Sequence, residues 1–249
     1  MMLGNGLEVF TPNRNLQINN TYKNLALLNK KKLTDLTLKW VQDRPFEGTN
    51  TCISLYSLTP QNNEVCYALG CKNKNKILSV ATYDGRLYAQ QSTPTTSEVC
   101  FLHMWDTTTN YASDTEIDVY TFGIDDVRIP EHGVGLCVYD ENGNPVYYSD
   151  DKSLRILYSG TQNFFYGTDI DAAIVSTLSS NDEIGWYKIN DYSYFNLHRA
   201  KYCPTIDNGT AFLRKYHLGD VKAGGVWLSP YAIATERYFP FLLVDVTGY

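Results

Sequence analysis

The stretch Gly135-Leu136-Cys137-Val138-Tyr139-Asp140-Glu141-Asn142-Gly143-Asn144-Pro145-Val146-Tyr147-Tyr148-Ser149 reads as a complete β-hairpin, and its reading decides the fold. Leu136 and Val138 alternate with Cys137 and Tyr139, the period of a strand, so the first pair is expected on one face and the second on the other. Asp140 to Asn144 then reverses the chain, with Gly143 suited to a left-handed position after a type I turn. The return strand is Pro145-Val146-Tyr147-Tyr148-Ser149.

The same pattern stands near the start as Gly6-Leu7-Glu8-Val9-Phe10 followed by Asn13, displaced by 129 residues (135 − 6 = 129). Over Gly6–Leu28 against Gly135–Leu157, identities fall at Gly6/Gly135, Leu7/Leu136, Val9/Val138, Asn13/Asn142, Asn15/Asn144, Lys23/Lys152, Leu25/Leu154 and Leu28/Leu157. Composition alone would give roughly one or two matches over such a window. The first copy keeps the strand but changes the turn to Thr11-Pro12-Asn13-Arg14-Asn15. Pro12 fits the first central turn position through its fixed φ. Arg14 replaces Gly143, so either Asn13 takes the left-handed position or the turn differs. The repeat divides the chain into two related halves, 1–127 and 128–249, which either fold separately or share one core.

Each hairpin is followed by a short apolar segment, Leu25–Leu28 and Leu154–Tyr158. Further strands are expected at Leu36–Val41, Thr51–Leu58, Ile77–Tyr83, Val99–Trp105, Ile117–Phe122, Ile184–Ile189 and Leu242–Val246. Ala172–Leu178 suits a helical turn or a strand equally well. Short strands with Gly, Asn, Asp or Pro between them, and no long helical period, predict an all-β, β-sandwich-like architecture.

With 249 residues the chain can bury a substantial core, and its 20 tyrosines suit strands and contact surfaces. A net charge of -6 argues against nucleic-acid binding. The one basic run, Lys30-Lys31-Lys32, reads as a solvated turn. The N-terminal residues carry no secretory pattern, and no apolar run is long enough to span a membrane, so a soluble chain without membrane insertion is expected. The six cysteines, at 52, 66, 71, 100, 137 and 203, are expected to be reduced and mostly buried.

Chemistry is sparse in the sequence. The carboxylate pairs Asp125-Asp126, Asp140-Glu141 and Asp150-Asp151 sit at turns, and adjacent strand residues face opposite ways, so no pair can flank one scissile bond. His103, His132, His198 and His217 form no metal-ligand spacing, and Gly224-Gly225 lacks phosphate-loop spacing. No catalytic residue, metal or cofactor is therefore expected, and the chain is read as a non-enzyme. Aromatics cluster at Asn163-Phe164-Phe165-Tyr166, at Trp186-Tyr187 and at Asp191-Tyr192-Ser193-Tyr194-Phe195. Alternation places Tyr192 and Tyr194 on one face, making them the candidate ligand-binding aromatics.

Three segments carry a family resemblance: Gly6–Asn20, Val119–Gly123 leading through His132-Gly133-Val134 into Gly135–Ser149, and Phe239–Gly248. Together they resemble poorly characterised virion proteins of tailed bacteriophages. The family hairpin often closes with Phe-Asp-Ser, where Tyr147-Tyr148-Ser149 and Ile18-Asn19-Asn20 stand here. The resemblance implies a structural protein of the tail, tail tip or fibre region, assembled in the host cytoplasm with other tail proteins. It also implies a homo-oligomer, a trimer or hexamer by tail symmetry, and brings no catalytic residues. An alternative is a receptor-binding adhesin that contacts saccharide or an outer-membrane protein on the host surface. A polysaccharide hydrolase is the third reading, and requires two carboxylates converging in a groove.

Overall fold

Both hairpins form, and they form in the same register. In the computed structural model, which describes residues 8–10, 16–19, 25–45, 49–83, 98–124, 135–149, 152–176, 182–188, 194–224 and 240–249, β1 (Glu8–Phe10) pairs with β2 (Leu16–Asn19). The first half continues with β3 (Ala26–Lys32), β4 (Thr37–Gln42), β5 (Thr51–Leu58), β6 (Glu64–Cys71), β7 (Leu78–Tyr83), β8 (Val99–Asp106) and β9 (Ile117–Gly123). The second opens with the hairpin β10 (Cys137–Tyr139) and β11 (Pro145–Tyr148), then β12 (Arg155–Gly160), β13 (Phe164–Phe165) and β14 (Ala172–Ser176). It ends with β15 (Asp182–Lys188), β16 (Tyr194–Asp207), β17 (Thr210–Gly224) and β18 (Phe241–Asp245).

The pairs Glu8↔Asn19, Val9↔Ile18 and Phe10↔Leu16 reappear as Cys137↔Tyr148, Val138↔Tyr147 and Tyr139↔Pro145, each displaced by 129 (137 − 8 = 129) with the same bulge. In the second hairpin Gly143 takes φ +81 and its N–H bonds Asp140 O at 3.1 Å, the type I turn with a left-handed glycine that the sequence implies. The Asp140 carboxylate accepts from the N–H groups of Asn142 and Asn144, fixing the turn. The expected face is corrected in one respect. Val138 is buried with Val146 and Tyr148, but Leu136 stands outside the strand, its N–H held by Ser149 Oγ, and is exposed.

The duplication extends through the sandwich. One sheet has the order β12-β18-β14-β6-β9-β3, the other β13-β17-β16-β7-β8-β5-β4 with β15 added beside β16. Read from the centre outward, β6-β9-β3 mirrors β14-β18-β12, and β7-β8-β5 mirrors β16-β17-β13. Each sheet thus draws strands from both 1–127 and 128–249. The chain passes from sheet to sheet in jelly-roll-like fashion, twice over. Registers agree as well: Ala26↔Gly123, Leu27↔Phe122, a bulge, then Asn29↔Thr121 match Arg155↔Asp245, Ile156↔Val244, a bulge, then Tyr158↔Leu243.

At the junction, β14 pairs antiparallel with β6 through Ala173↔Gly70 and Ile174↔Leu69. At the far edges the repeat-equivalent residues Leu25 and Leu154 meet, Leu154 N–H donating to Leu25 O at 2.7 Å beside the bridge Ala26↔Ser153. The two halves are therefore related by a local twofold, and the six-stranded sheet curls until its edges touch.

Side chains inside that curl come from both halves: Ala68, Tyr120, Phe122, Ala173, Val175 and Val244. The opposite face of the same strands, with Leu69, Val119, Ile174, Phe241 and Leu243, packs on the second sheet. Burial on both faces accounts for the near-continuous apolar runs of β9 and β18. The eight-stranded sheet has a further cluster on its other side, around Ile53, Leu55, Leu102, Met104 and Tyr216.

Four local readings change or resolve. Ala172–Ser176 is a strand, and Glu64–Cys71, not anticipated, is the first half's strand at the junction with the second. The solvated turn expected at Lys30–Lys32 is instead the end of β3: Lys30 and Lys32 reach the buried Asp118 carboxylate at 3.1 and 2.6 Å. Pairing with one buried anion, rather than hydration of a loop, accounts for Lys30 and Lys32. The stretch from Tyr194 to Gly224 is one long hairpin.

Candidate functional site

Among the described residues a polar cluster centres on Asp114, which opens a short 3₁₀ turn, Asp114–Glu116. The turn is set by Ser113 and Glu116, a Ser-x-x-Glu capping pair: Ser113 N–H and Oγ both bond the Glu116 carboxylate at 2.8 Å. This presents Asp114 to three side chains on neighbouring strands. Ser54 Oγ donates to Oδ1 at 3.0 Å, Tyr56 Oη to Oδ2 at 2.7 Å, and His103 Nδ1 lies 2.6 Å from Oδ1. Ser54 and His103 are directly opposed in the β5–β8 ladder, so the sheet itself places two of the three.

His103 is 1% exposed, stacked on Trp105, which is in turn stacked on Tyr111. Trp105 is thus engaged by the rings of both His103 and Tyr111 and is half-buried. Burial pushes the Asp114 pKa up, but the His103 hydrogen bond and charge, with the hydrogen bonds from Tyr56 and Ser54, hold it below the usual carboxylate value. Asp118 follows the same logic: burial raises it, while Lys32 and Lys30 lower it further than burial lifts it.

Both carboxylates are depressed in the folded chain, so their contribution is present above the unfolded value of about 4 and disappears as pH falls through the folded value. Urea midpoints measured from pH 7 downward should hold steady to about pH 4 and then fall. Asp118→Asn and Asp114→Asn should each flatten that fall. An unchanged acid slope in both variants would remove these two pairs as its source.

A shallow cleft, about 350 Å³ including space open to solvent, lies between the halves. Lys74 crosses it from the first half, meeting Asp171 of the second at 3.2 Å and donating to Thr168 O. Cys71, Tyr166 and Asn208 also line it. Of the two lysines that line it, Lys74 is thus engaged in a cross-half tie and Lys76 faces Glu116 at 3.9 Å. A second tie lies in the other sheet, where Ser79 Oγ meets Thr205 Oγ1 at 2.7 Å and Tyr216 Oη at 2.6 Å.

Of the candidate aromatics, Tyr192 lies outside the described residues, and Tyr194 opens β16 with its side chain outside them. Phe164 stacks on Tyr158 at 4.7 Å and Tyr166 packs on the intersheet core, while Phe165 between them is 72% exposed. Asp140 and Glu141 form the hairpin turn; Asp125, Asp126, Asp150, Asp151 and His132 lie outside the described residues, as do the side chains of His198 and His217. Among the described residues no group of three His, Cys, Asp or Glu could hold a metal, and no helix is long and apolar enough to cross a membrane. All six cysteines are free, and burial pushes Cys66 and Cys100 up to about 11.

Sequence reading missed the Asp114 cluster because its partners lie far apart in the chain. The Ser113-to-Glu116 capping pattern was the one local signal that marked the turn. No protein-family model, curated protein or solved structure matches the chain.

Proposed function

We propose that this chain is a structural component of a bacteriophage tail, in the tip, fibre or adaptor region, assembling with other virion proteins. The supporting observation is where the resemblance falls. Gly6–Asn20 and Gly135–Ser149 contain the two equivalent hairpins, while Val119–Gly123 lies within β9 and Phe239–Gly248 contains β18, the equivalent strands of the duplicated sheet. The shared residues are scaffold residues, which fits a part whose task is shape. The polar clusters fit the same reading, since Asp114, Asp118 and Lys74 each tie structural elements together.

Mass spectrometry of purified particles tests the proposal. The protein should be found at a fixed copy number relative to the major tail proteins. Its presence in infected-cell lysate together with its absence from particles would refute the reading.

A further inference from the structure

β4 is an open edge of the eight-stranded sheet. Among the described residues it pairs with β5 alone, and its Thr37, Leu38, Lys39 and Val41 are exposed. An edge strand presents a row of unpaired N–H and C=O groups, which natural sheets guard with charge, proline or a bulge. Here the guards are one lysine and one bulge. Lys39 Nζ is turned onto Glu98 Oε1 of the same chain at 2.8 Å, so its charge is already engaged.

The bulge decides which residues share a face. Leu38 pairs with Tyr56 and Val41 with Ser54, with Lys39 as the extra residue between them. Tyr56 and Ser54 both reach Asp114 and so point to one side of the sheet, and Leu38 and Val41 point there with them. In a regular strand, residues three apart would face opposite ways. Trp40 and Gln42 pair with Leu55 and Ile53 and face the other side, where Trp40 packs on the Ile53 and Leu55 cluster. The open edge thus carries two aliphatic side chains on one face, Leu38 at 50% and Val41 at 43% exposure.

This pattern is self-complementary. When two copies of β4 meet antiparallel about a twofold axis, directly opposed residues must point to the same side. The register that sets Leu38 against Val41 also sets Thr37 against Gln42, so faces match at each pair flanking the bulge. A slip of one residue would set Leu38 against Trp40 or Gln42, which face the other way, and a slip of two separates Leu38 from Val41. The two Lys39 side chains come nearest the axis, each held by its own Glu98. At either end the same register brings the exposed Asp35 of one copy level with the exposed Arg44 of the other, while Asp43 falls opposite Leu36. Among the described residues Arg44 forms no ion pair, its neighbour Asp43 included.

From this we infer that two copies of this chain join edge to edge through β4, in one continuous sheet, with Leu38 of each copy on Val41 of the other. The contact is isologous and closes at two copies. It goes beyond the virion reading and does not depend on it. One strand edge and four aliphatic side chains bury less than the about 800 Å² per partner of a standard interface, so the pair separates readily in dilute solution.

Sedimentation velocity of the purified full chain at concentrations up to about 1 mM tests it. A monomer–dimer equilibrium is expected. Leu38→Lys and Val41→Lys each place a free charge on the open edge and should weaken association at least about tenfold, with circular dichroism unchanged. Arg44→Glu, which sets like charges against each other at both ends, should weaken it less. Cysteine crosslinking reads the register. A mixture of Leu38→Cys chains with Val41→Cys chains should give disulfide-linked dimers under mild oxidation, whereas either variant alone, or the wild-type chain with its own six cysteines, should not. A chain monomeric throughout, association indifferent to both lysine substitutions, or single variants that crosslink as readily as the mixture would each overturn the inference.

Discussion

Phe122→Ala should lower the unfolding free energy by about 3–5 kcal/mol, a large share of the ~5–15 kcal/mol available to a folded chain. Phe122 is fully buried inside the curl of the six-stranded sheet, its ring 6.2 Å from that of Tyr249. It sits where both halves contribute side chains, so the cavity left behind is walled by two sets of strands that cannot collapse independently. The local twofold supplies an internal comparison. Val244 occupies the equivalent place, since Leu27↔Phe122 matches Ile156↔Val244. Val244→Ala removes less volume and should cost less, in the same two-state transition. Chemical denaturation measures both. A loss below about 1 kcal/mol for Phe122→Ala would mean that the inner curl is not a packed core.

Gly123→Ala should be nearly as damaging, at about 3 kcal/mol, although it adds a single methyl group. A Cβ there would fall 2.0 Å from Asn63 O and 2.5 Å from Leu28 Cδ1. Asn63 O is also the acceptor for Ile124 N–H at 3.0 Å, so it cannot retreat without giving up that bond. The equivalent position is Asp245, which carries a full side chain and pairs with Arg155 at 3.4 Å. Asp245→Ala should therefore be mild. Equal effects at the two positions would show that the crowding at Gly123 is relieved by local movement of the backbone.

The hairpin at Gly135–Ser149 was legible because every element of it is local: alternation, an Asx turn and a left-handed glycine all lie within fifteen residues. Its first copy was legible only through the shared spacing. The twofold of the sheets was not. Between the halves the displacement is 129 at the hairpins, 122 from Gly123 to Asp245 (245 − 123 = 122), and 107 from Cys66 to Ala173 (173 − 66 = 107). Loops of unequal length break the frame, and β9 and β18 share no identical residue at equivalent positions. What persists is the side of the sheet each residue faces, a property invisible without strand pairing. Lys30–Lys32 misled for a related reason, since the anion that Lys30 and Lys32 meet is Asp118, on another strand. Asp114 hid in the same way, because Tyr56 and Ser54 lie 58 and 60 residues upstream.

The antiparallel junction between β6 and β14 also sets a timetable for the ribosome. β6 emerges about 100 residues before β14, the strand that pairs its open flank, a delay of roughly 5–20 s at ordinary elongation rates. Throughout that interval the unpaired flank of β6 offers free N–H and C=O groups to any neighbouring nascent chain. Two polysome neighbours that have each made only a first half can satisfy those groups with each other, because the twofold makes one half a stand-in for the other. Translation speed across the second half therefore governs the partition between correctly closed chains and cross-paired ones, and slow codons downstream of β9 would be expected to lower soluble yield.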